Sequence, residues 1–553
     1  MRYKFQITLL ALAIGAVCMQ GCSKKIDEAY QNPNASVRVP IESIMPGVIG
    51  GLTYFYSSNG TGFGVQLDAT YIGRYVQYFG IQTDLDSYGE MGGVTGASDN
   101  TGSMWGAVYY GHGKNINKII EWGTEEQKWD YVGAAWAIRA WGWLELTNEY
   151  NDGILSEAWN ENLSQFHYDA SADFYDSCRA VCYRSLSFLN RTDGNVNKEN
   201  FAKGDAYFNG GDVNKWKKFV YGILARSYID LSAKNLFAAN NYAFADSAAK
   251  YADLAMTTND DNAYVKTAGG LLSATNNYYG PFRANMGAYR QCSYIADLMS
   301  GRNTTAFNGV SDPRSWYMLR ENKSGNFMGF LPWRGGKTPG LNSSTYPFNF
   351  WGHATYNSTA APTTDTSRYL WQNTSPWPMM TASEMQFTKA EALYRKGDNA
   401  GALAAYKNAI SLNFDMLTTT YPQHIPVANA ITPAVKDAYL NNPAVVPVLA
   451  KDLTLTQIML QKYIALYVWG THQTWIDMRK FHYTDIDPAT GKQVYADFTP
   501  PSGGDLYPDN GGKLVYRVRP RFNSEYVWNI LELQRIGATN LDYHTLEMWF
   551  SQP

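Results

Sequence analysis

The strongest constraint on the fold of this chain is the pattern of residues 381–414, whose apolar side chains repeat with helical spacing. Phe387, Ala390 and Tyr394 lie at i, i+3 and i+7, which places them on one face of a helix. The same spacing recurs in a second run that ends at Ile410. The two runs predict two helices in direct succession.

A short polar turn separates the two runs. Gly397 can adopt the left-handed conformation that ends the first helix, and Asp398 or Asn399 can cap the second. Residues 402–409 match the second half of a tetratricopeptide pattern, A-x3-Y-x2-A. A hairpin of this kind cannot bury its apolar face alone, so other helices must pack against it.

Similar amphipathic patterns recur along the chain and predict those neighbours. Residues 129–150 carry a heavy aromatic face that includes Trp136 and Trp143, both predicted to lie in the core. Further helices are predicted at residues 41–56, 64–79, 169–189, 212–231, 241–256 and 453–481. We therefore expect a mainly α fold, a scaffold of tetratricopeptide-like helix hairpins, in one domain spanning residues 37–553.

Residues 257–381 interrupt this scaffold. They are rich in Gly, Asn, Pro and Trp and show little helical periodicity. A long irregular insertion with many aromatic residues is typically functional. We therefore expect the ligand-binding loops to lie in this insertion.

The N-terminus has the pattern of an export signal. Arg2 and Lys4 precede an apolar stretch at residues 7–17, which is shorter than the roughly 20 residues that a membrane span needs. Gly21 then precedes Cys22, as at a lipoprotein cleavage site, with Cys18 as the competing position. We predict a signal peptide at residues 1–21, lipidation of Cys22 and a tether at residues 22–36; the alternative is an ordinary secretory signal.

Composition and motifs exclude several classes of function. A net charge of −3 without a long basic run argues against nucleic acid as a partner. No common catalytic, nucleotide-binding or metal-ligand motif occurs, so we expect no cofactor, metal or catalytic residue. Cys178, Cys182 and Cys292 are expected to be small buried residues.

The chain is 15% aromatic and only 17% charged, which fits either a carbohydrate-binding protein or a Tyr-rich core. In loops with nearby Gly or Pro, a Trp is either pinned under the loop or exposed to a ligand. The candidate ligand-binding residues are Trp333, Arg334, Trp351, Asn342 and Asn349 in the insertion, and Tyr78 and Trp105 in the N-terminal loops.

Several segments together resemble the SusD/RagB family of outer-membrane nutrient-binding lipoproteins. The resemblance runs from Cys22 through residues 137–153, 210–232 and 382–397 to residues 461–481 and 519–529. It is closest to the SusD-like subgroup with its WxDxRR and RxRYPxxE patterns. Here Lys480 replaces one Arg, and Phe522-Asn523 replaces Tyr-Pro.

The resemblance implies a non-catalytic lipoprotein on the outer surface of a Bacteroidetes-type outer membrane. Such proteins bind glycan, or peptide in some members, and pass it to a SusC-type TonB-dependent β-barrel transporter. The family has no fixed ligand motif, so Cys22 alone is carried over. Two alternatives stay open: a peptide-binding member of the family, and a surface glycoside hydrolase.

The lipid anchor gives a first prediction. Cys22→Ala should abolish incorporation of labelled palmitate and leave an uncleaved or released protein, because the acylated thiol is lost. Cys18→Ala is the matched control and should be labelled like the wild type. Unchanged labelling of Cys22→Ala would contradict the assignment.

Overall fold

The computed structural model describes residues 38–56, 62–82, 103–272, 276–520 and 523–553. The protein is mainly helical, as predicted. The α-helices are α1 Ile41–Thr53, α2 Val65–Tyr75, α3 Ser103–Gly106, α4 Gly113–Glu125, α5 Trp129–Tyr150, α6 Ser171–Leu189, α7 Lys198–Gly204, α8 Val213–Ile229, α9 Asn235–Leu254, α10 Ser293–Met299, α11 Ser315–Met318, α12 Ala382–Lys396, α13 Asn399–Thr420, α14 Pro433–Leu440, α15 Leu455–Ala465, α16 Thr471–Lys480, α17 Asn523–Trp528 and α18 Ile530–Arg535. The predicted signal peptide, the predicted lipidation site Cys22 and the predicted tether lie outside the described residues.

Short antiparallel strand pairs fasten the connecting segments. The strands are β1 Phe55–Tyr56, β2 Gly62–Phe63, β3 Phe79–Ile81, β4 Ala263–Val265, β5 Tyr289–Gln291, β6 Trp377–Met380, β7 Ile486–Asp487 and β8 Lys492–Gln493. They pair as β1–β2, β3–β5, β4–β6 and β7–β8. The β3–β5 pair joins the insertion to the N-terminal part, and the β4–β6 pair joins the two ends of the insertion.

The hairpin of α12 and α13 forms as its sequence predicts. Thr381 caps α12 by accepting a hydrogen bond from the Glu384 backbone N–H (3.2 Å). Gly397 ends the helix with a φ of +87°, and Asp398 caps α13 at the Gly401 N–H (2.9 Å). Consecutive helices pack in the same way at α5 and α6 and at α8 and α9. The tetratricopeptide-like scaffold is thus confirmed.

Helix α5 has the predicted bounds, and both of its tryptophans that were expected in the core pack against it, though to different extents. Trp143 is buried, whereas Trp136 is half-buried and lies under the guanidinium of Arg184 (4.8 Å). Neither Asp169 nor Ser171, which lie at the start of α6, caps that helix. Asp169 instead accepts hydrogen bonds from the 155–156 backbone, and Ser171 bonds to Thr147.

The insertion is irregular, as expected, but its largest rings point inward. Phe350 stacks on Trp371 at 3.7 Å, and Trp371 stacks on Tyr279 at 5.2 Å. These rings belong to one large hydrophobic core, which includes residues from Ile41 to Phe550. The insertion therefore contributes to the core as well as to the surface.

A buried ion network lies where α8, α12, α15 and α16 meet. Arg226 pairs with Glu384 (2.6 Å). Behind this pair, Glu391 binds Lys480 (3.2 Å), and Asp477 binds both Lys480 (3.0 Å) and Lys462 (2.8 Å). Burial raises the pKa of Glu391, but the surrounding lysines and Arg395 outweigh it and lower the pKa. The network fixes the relative positions of four helices.

The three cysteines in the described residues are free and buried, as predicted. In the same residues, no helix has the length and apolar character needed to cross a membrane.

Close backbone contact in the insertion yields a stability prediction. A Cβ added to Gly329 would lie 2.2 Å from the backbone carbonyl carbon of Cys292, whereas a Cβ on Gly50 in α1 meets nothing within 4 Å. Gly329→Ala should therefore lower the free energy of unfolding by about 1–3 kcal/mol. Gly50→Ala should raise it by about 0.5–1 kcal/mol. Urea denaturation measures both, and equal effects would contradict the packing described here.

Aromatic surfaces and the candidate ligand site

Two of the candidates in the insertion are buried. Trp351 is 1% exposed, and its indole N–H donates to the Tyr279 carbonyl oxygen (2.9 Å). The buried Asn349 amide donates to the carbonyl oxygens of Ser358 (3.3 Å) and Ala360 (2.8 Å). These side chains stabilise the loop from within, so the structure corrects the expectation that they face a ligand.

The two N-terminal candidates are buried as well. The Tyr78 hydroxyl donates to the Tyr463 carbonyl oxygen (2.5 Å), and its ring lies in the core. Trp105 is also fully buried, with its ring 4.9 Å from that of Tyr109 and 5.0 Å from that of Tyr150. Tyr78 is therefore a core residue, while Trp105 forms the floor of a surface cleft described below.

Trp333 and Arg334 do reach the surface. Trp333 is half-buried against the core, and the Arg334 side chain is 51% exposed and pairs with Asp505 (2.5 Å). Asn342 also lies at the surface, but its side-chain oxygen accepts the Ser344 N–H (2.9 Å) within its own turn. We call the surface formed by the neighbouring residues Trp333 and Arg334 the insertion surface.

A second surface, which we call the aromatic cleft, has a volume of about 650 Å³. It lies between the start of α4, the loop at residues 154–166 and the segment at residues 524–529. Its aromatic lining consists of Trp105, Tyr109, Tyr110, Trp159, Phe166 and Trp528.

The first wall of the cleft depends on a single π-helical turn, Ala107–Gly111, before α4. The Tyr109 ring points inward, where its hydroxyl donates to the Ile154 carbonyl oxygen (2.7 Å) and accepts the Ile154 N–H (2.8 Å). Tyr110, the next residue, points outward and is 51% exposed. Single π-turns of this kind are frequent at functional sites.

Trp159 forms the second wall in a strained conformation. Its φ is +60°, a value that bulky residues rarely adopt. The indole N–H donates to the Tyr109 carbonyl oxygen (3.1 Å), and the Arg139 guanidinium lies 4.0 Å over the ring. Strain that the surrounding structure maintains in this way often marks a binding site.

The third wall is the C-terminal segment, which carries Trp528 with 64% of its surface exposed. Glu525 accepts a hydrogen bond from the buried Tyr168 hydroxyl, and burial raises the pKa of this carboxyl. The Asn529 side-chain oxygen accepts the Phe166 N–H (2.9 Å). These bonds fix the segment against the loop at residues 154–166.

The cleft combines flat apolar rings with a polar rim. The rim carries both signs of charge, on Lys114, Lys118, Glu121 and Glu161, and amides on Asn117 and Asn160. Such a lining suits a neutral ligand with apolar faces and many hydroxyl groups. The sequence reasoning missed Tyr110, Trp159 and Trp528, because nothing in the linear pattern shows that three distant segments meet.

The structure is that of a tetratricopeptide-like helical protein with an aromatic surface cleft. A SusD-like family model described as "Starch-binding associating with outer membrane" matches residues 44–502. The match covers most of the chain, so the chain belongs to this SusD-like family, and the resemblance found in its motifs is confirmed. A comparison with curated proteins gives no match.

Solved structures confirm the fold. The chain is similar to a SusD/RagB family protein of Bacteroides thetaiotaomicron (19% identity, TM-score 0.62, 93% of this chain and 99% of that chain). It is also similar to a chitin-binding protein (21%, 0.63, 93% and 99%) and to a chitin-binding SusD homologue of Flavobacterium johnsoniae (15%, 0.59, 93% and 98%).

The burial of Trp351 gives a prediction that separates core from surface. Trp351→Ala should lower the free energy of unfolding by about 3–5 kcal/mol, because it empties a packed site. Trp333→Ala, the half-buried comparison, should cost clearly less. Thermal and chemical denaturation of both variants measure the difference. A Trp351→Ala protein as stable as the wild type would show that this ring is not part of the core.

Proposed function

We propose that this protein is a cell-surface, lipid-anchored nutrient-binding protein. It captures oligosaccharide and delivers it to a SusC-type TonB-dependent transporter in the outer membrane. Family membership supports a nutrient-binding role at the outer membrane. The export signal and Cys22 support the anchor. The chitin-binding relatives support a sugar ligand.

The observation that carries the choice of ligand is the pair of exposed rings in the aromatic cleft. Tyr110 and Trp528 line one cleft and lie on segments more than 400 residues apart. Single exposed rings are common on protein surfaces, but large rings grouped around one cleft are a feature of binding sites. The apolar faces of sugar rings stack on such side chains, while their hydroxyl groups bond to the rim.

The insertion surface is proposed as a second contact for the same ligand. Trp333 offers a partly exposed ring, and Arg334 offers donors that can bind two neighbouring hydroxyl groups. An oligosaccharide that contacts both surfaces must be long enough to span the distance between the insertion surface and the aromatic cleft.

Substitutions in the cleft test the proposal. Trp528→Ala should weaken oligosaccharide binding several-fold or more, because a ring stack contributes on the order of 1 kcal/mol and ~1.4 kcal/mol is tenfold. Tyr110→Ala should do the same. Tyr207→Ala removes a comparably exposed ring outside the cleft and is the matched control. Calorimetric titration with malto- and chito-oligosaccharides measures the affinities, and melting temperatures should stay near the wild-type value.

Three outcomes would change the assignment. If Trp333→Ala and Arg334→Ala abolish binding while the cleft variants bind normally, the insertion surface is the site. If short peptides bind and sugars do not, the protein is a peptide-binding member of the family. If oligosaccharides are cleaved during long incubation, the glycoside hydrolase alternative is correct.

A further inference from the structure

Three ionisable side chains from three separate helices converge in the interior. They are Asp68 of α2, Glu149 of α5 and His472 of α16, and all three are buried. One side-chain oxygen or nitrogen atom from each residue lies within 4.8 Å of the others. The sequence gives no sign of this cluster, because its members are 81 and 323 positions apart.

Asp68 is the best satisfied of the three. Its carboxylate oxygens accept the backbone N–H groups of Ser103 (2.6 Å) and Met104 (2.9 Å). This bonding leaves lone pairs on the oxygens for a further partner. It also ties the cluster to α3, the short helix that carries Trp105 to the floor of the aromatic cleft.

Glu149 and His472 are not satisfied. With both carboxyl groups ionised, neither Glu149 oxygen receives a hydrogen bond from a donor in the described residues, because its carboxyl neighbour Asp68 can donate only when protonated. His472 Nε2 lies 2.9 Å from Glu149 Oε1, yet the two atoms form no hydrogen bond. When the imidazole nitrogen carries no proton, two atoms at this distance resemble neighbouring ligands of one ion, since tetrahedral bonds of 2.0–2.1 Å separate ligands by about 3.3 Å.

The cations nearby are engaged elsewhere. Arg226 pairs with Glu384 and reaches Glu145 at 3.4 Å. Arg479 donates to the carbonyl oxygens of Tyr516 (2.8 Å) and Trp475 (3.1 Å). Buried carboxylates without a paired charge are costly, so the cluster requires a metal cation, a protonated His472 or a proton shared by the carboxyl groups.

We propose that Asp68, Glu149 and His472 bind one divalent transition-metal cation of the Zn²⁺ or Mn²⁺ class. One imidazole nitrogen and two carboxylates suit these ions, whereas Ca²⁺ and Mg²⁺ take oxygen ligands. A water-sized cavity of about 20 Å³ beside His472 and Glu145 offers room for a water near the site. The ion joins α2, α5 and α16 and stabilises the scaffold under the cleft.

Two metal-free states are the rivals: a protonated His472 paired with Glu149, which burial opposes by lowering the pKa of His472, and a proton shared between the two carboxyl groups. Burial, with a smaller contribution from Glu149, raises the pKa of Asp68 to about 8. Burial, followed by Glu145, raises the pKa of Glu149. A proton in either place removes the need for a metal, so the three states differ in metal content and in their response to neutralising Glu149.

The test uses untagged mature protein. Elemental analysis should find close to one Zn²⁺ or Mn²⁺ per chain. Removal by a chelator should lower the melting temperature by several degrees, and Zn²⁺ or Mn²⁺, but not Ca²⁺ or Mg²⁺, should restore it, because a ligand of the folded state stabilises that state. Co²⁺ should give ligand-field absorption typical of a nitrogen- and oxygen-bound ion.

Variants separate the three states further. Glu149→Gln and His472→Gln should lose the metal and the metal-dependent increase in melting temperature. His112→Gln replaces a buried histidine outside the cluster and should retain both. If the wild type is metal-free and its melting temperature ignores chelators and added ions, the proposal is overturned. A gain of stability from Glu149→Gln then identifies the shared proton, and a loss identifies the pair of protonated His472 with Glu149.

Discussion

The buried ion network around Glu391 is the interaction on which the rest of the scaffold depends. Its partners Lys462, Asp477 and Lys480 lie on α15 and α16, while Glu391 lies on α12. Each buried charge needs a partner, because removing one member of a buried ion pair lowers the free energy of unfolding by about 3–5 kcal/mol. The network therefore specifies how the C-terminal helices pack against the hairpin. It also explains the WxDxRR-like motif, in which Lys480 fills the place of an arginine.

Aromatic side chains also stabilise the fold, and they fall into two groups, buried and exposed. Most of the large rings, including Trp351 and Trp371, pack in the core and stabilise the irregular insertion. A smaller group, including Tyr110 and Trp528, stays exposed around a cleft. The aromatic-rich composition is thus explained largely by the core, and the proposed sugar contacts rest on a few rings.

The cleft is a product of the scaffold beneath it. Arg139 on α5 supports the strained Trp159, and Tyr168 just before α6 holds Glu525 of the C-terminal segment. The Asp68 carboxylate accepts hydrogen bonds from the first two backbone N–H groups of α3, the helix whose Trp105 forms the floor of the cleft. The shape of the cleft therefore depends on the relative positions of α2, α5 and the segment just before α6, whose side chains support its walls from beneath.

The sequence by itself determined the helices, the hairpin turn at Gly397 and the family, because local periodicity, capping and collinear motifs are written within short stretches. It also marked Trp333 and Arg334 as surface candidates. It could not tell that Trp351, Asn349 and Tyr78 are buried, or that Trp136 is not fully so. Burial and the meeting of residues 105–121, 154–166 and 524–529 depend on long-range packing, which no local pattern encodes. Only the tertiary structure decided where the cleft and the buried Asp–Glu–His cluster lie.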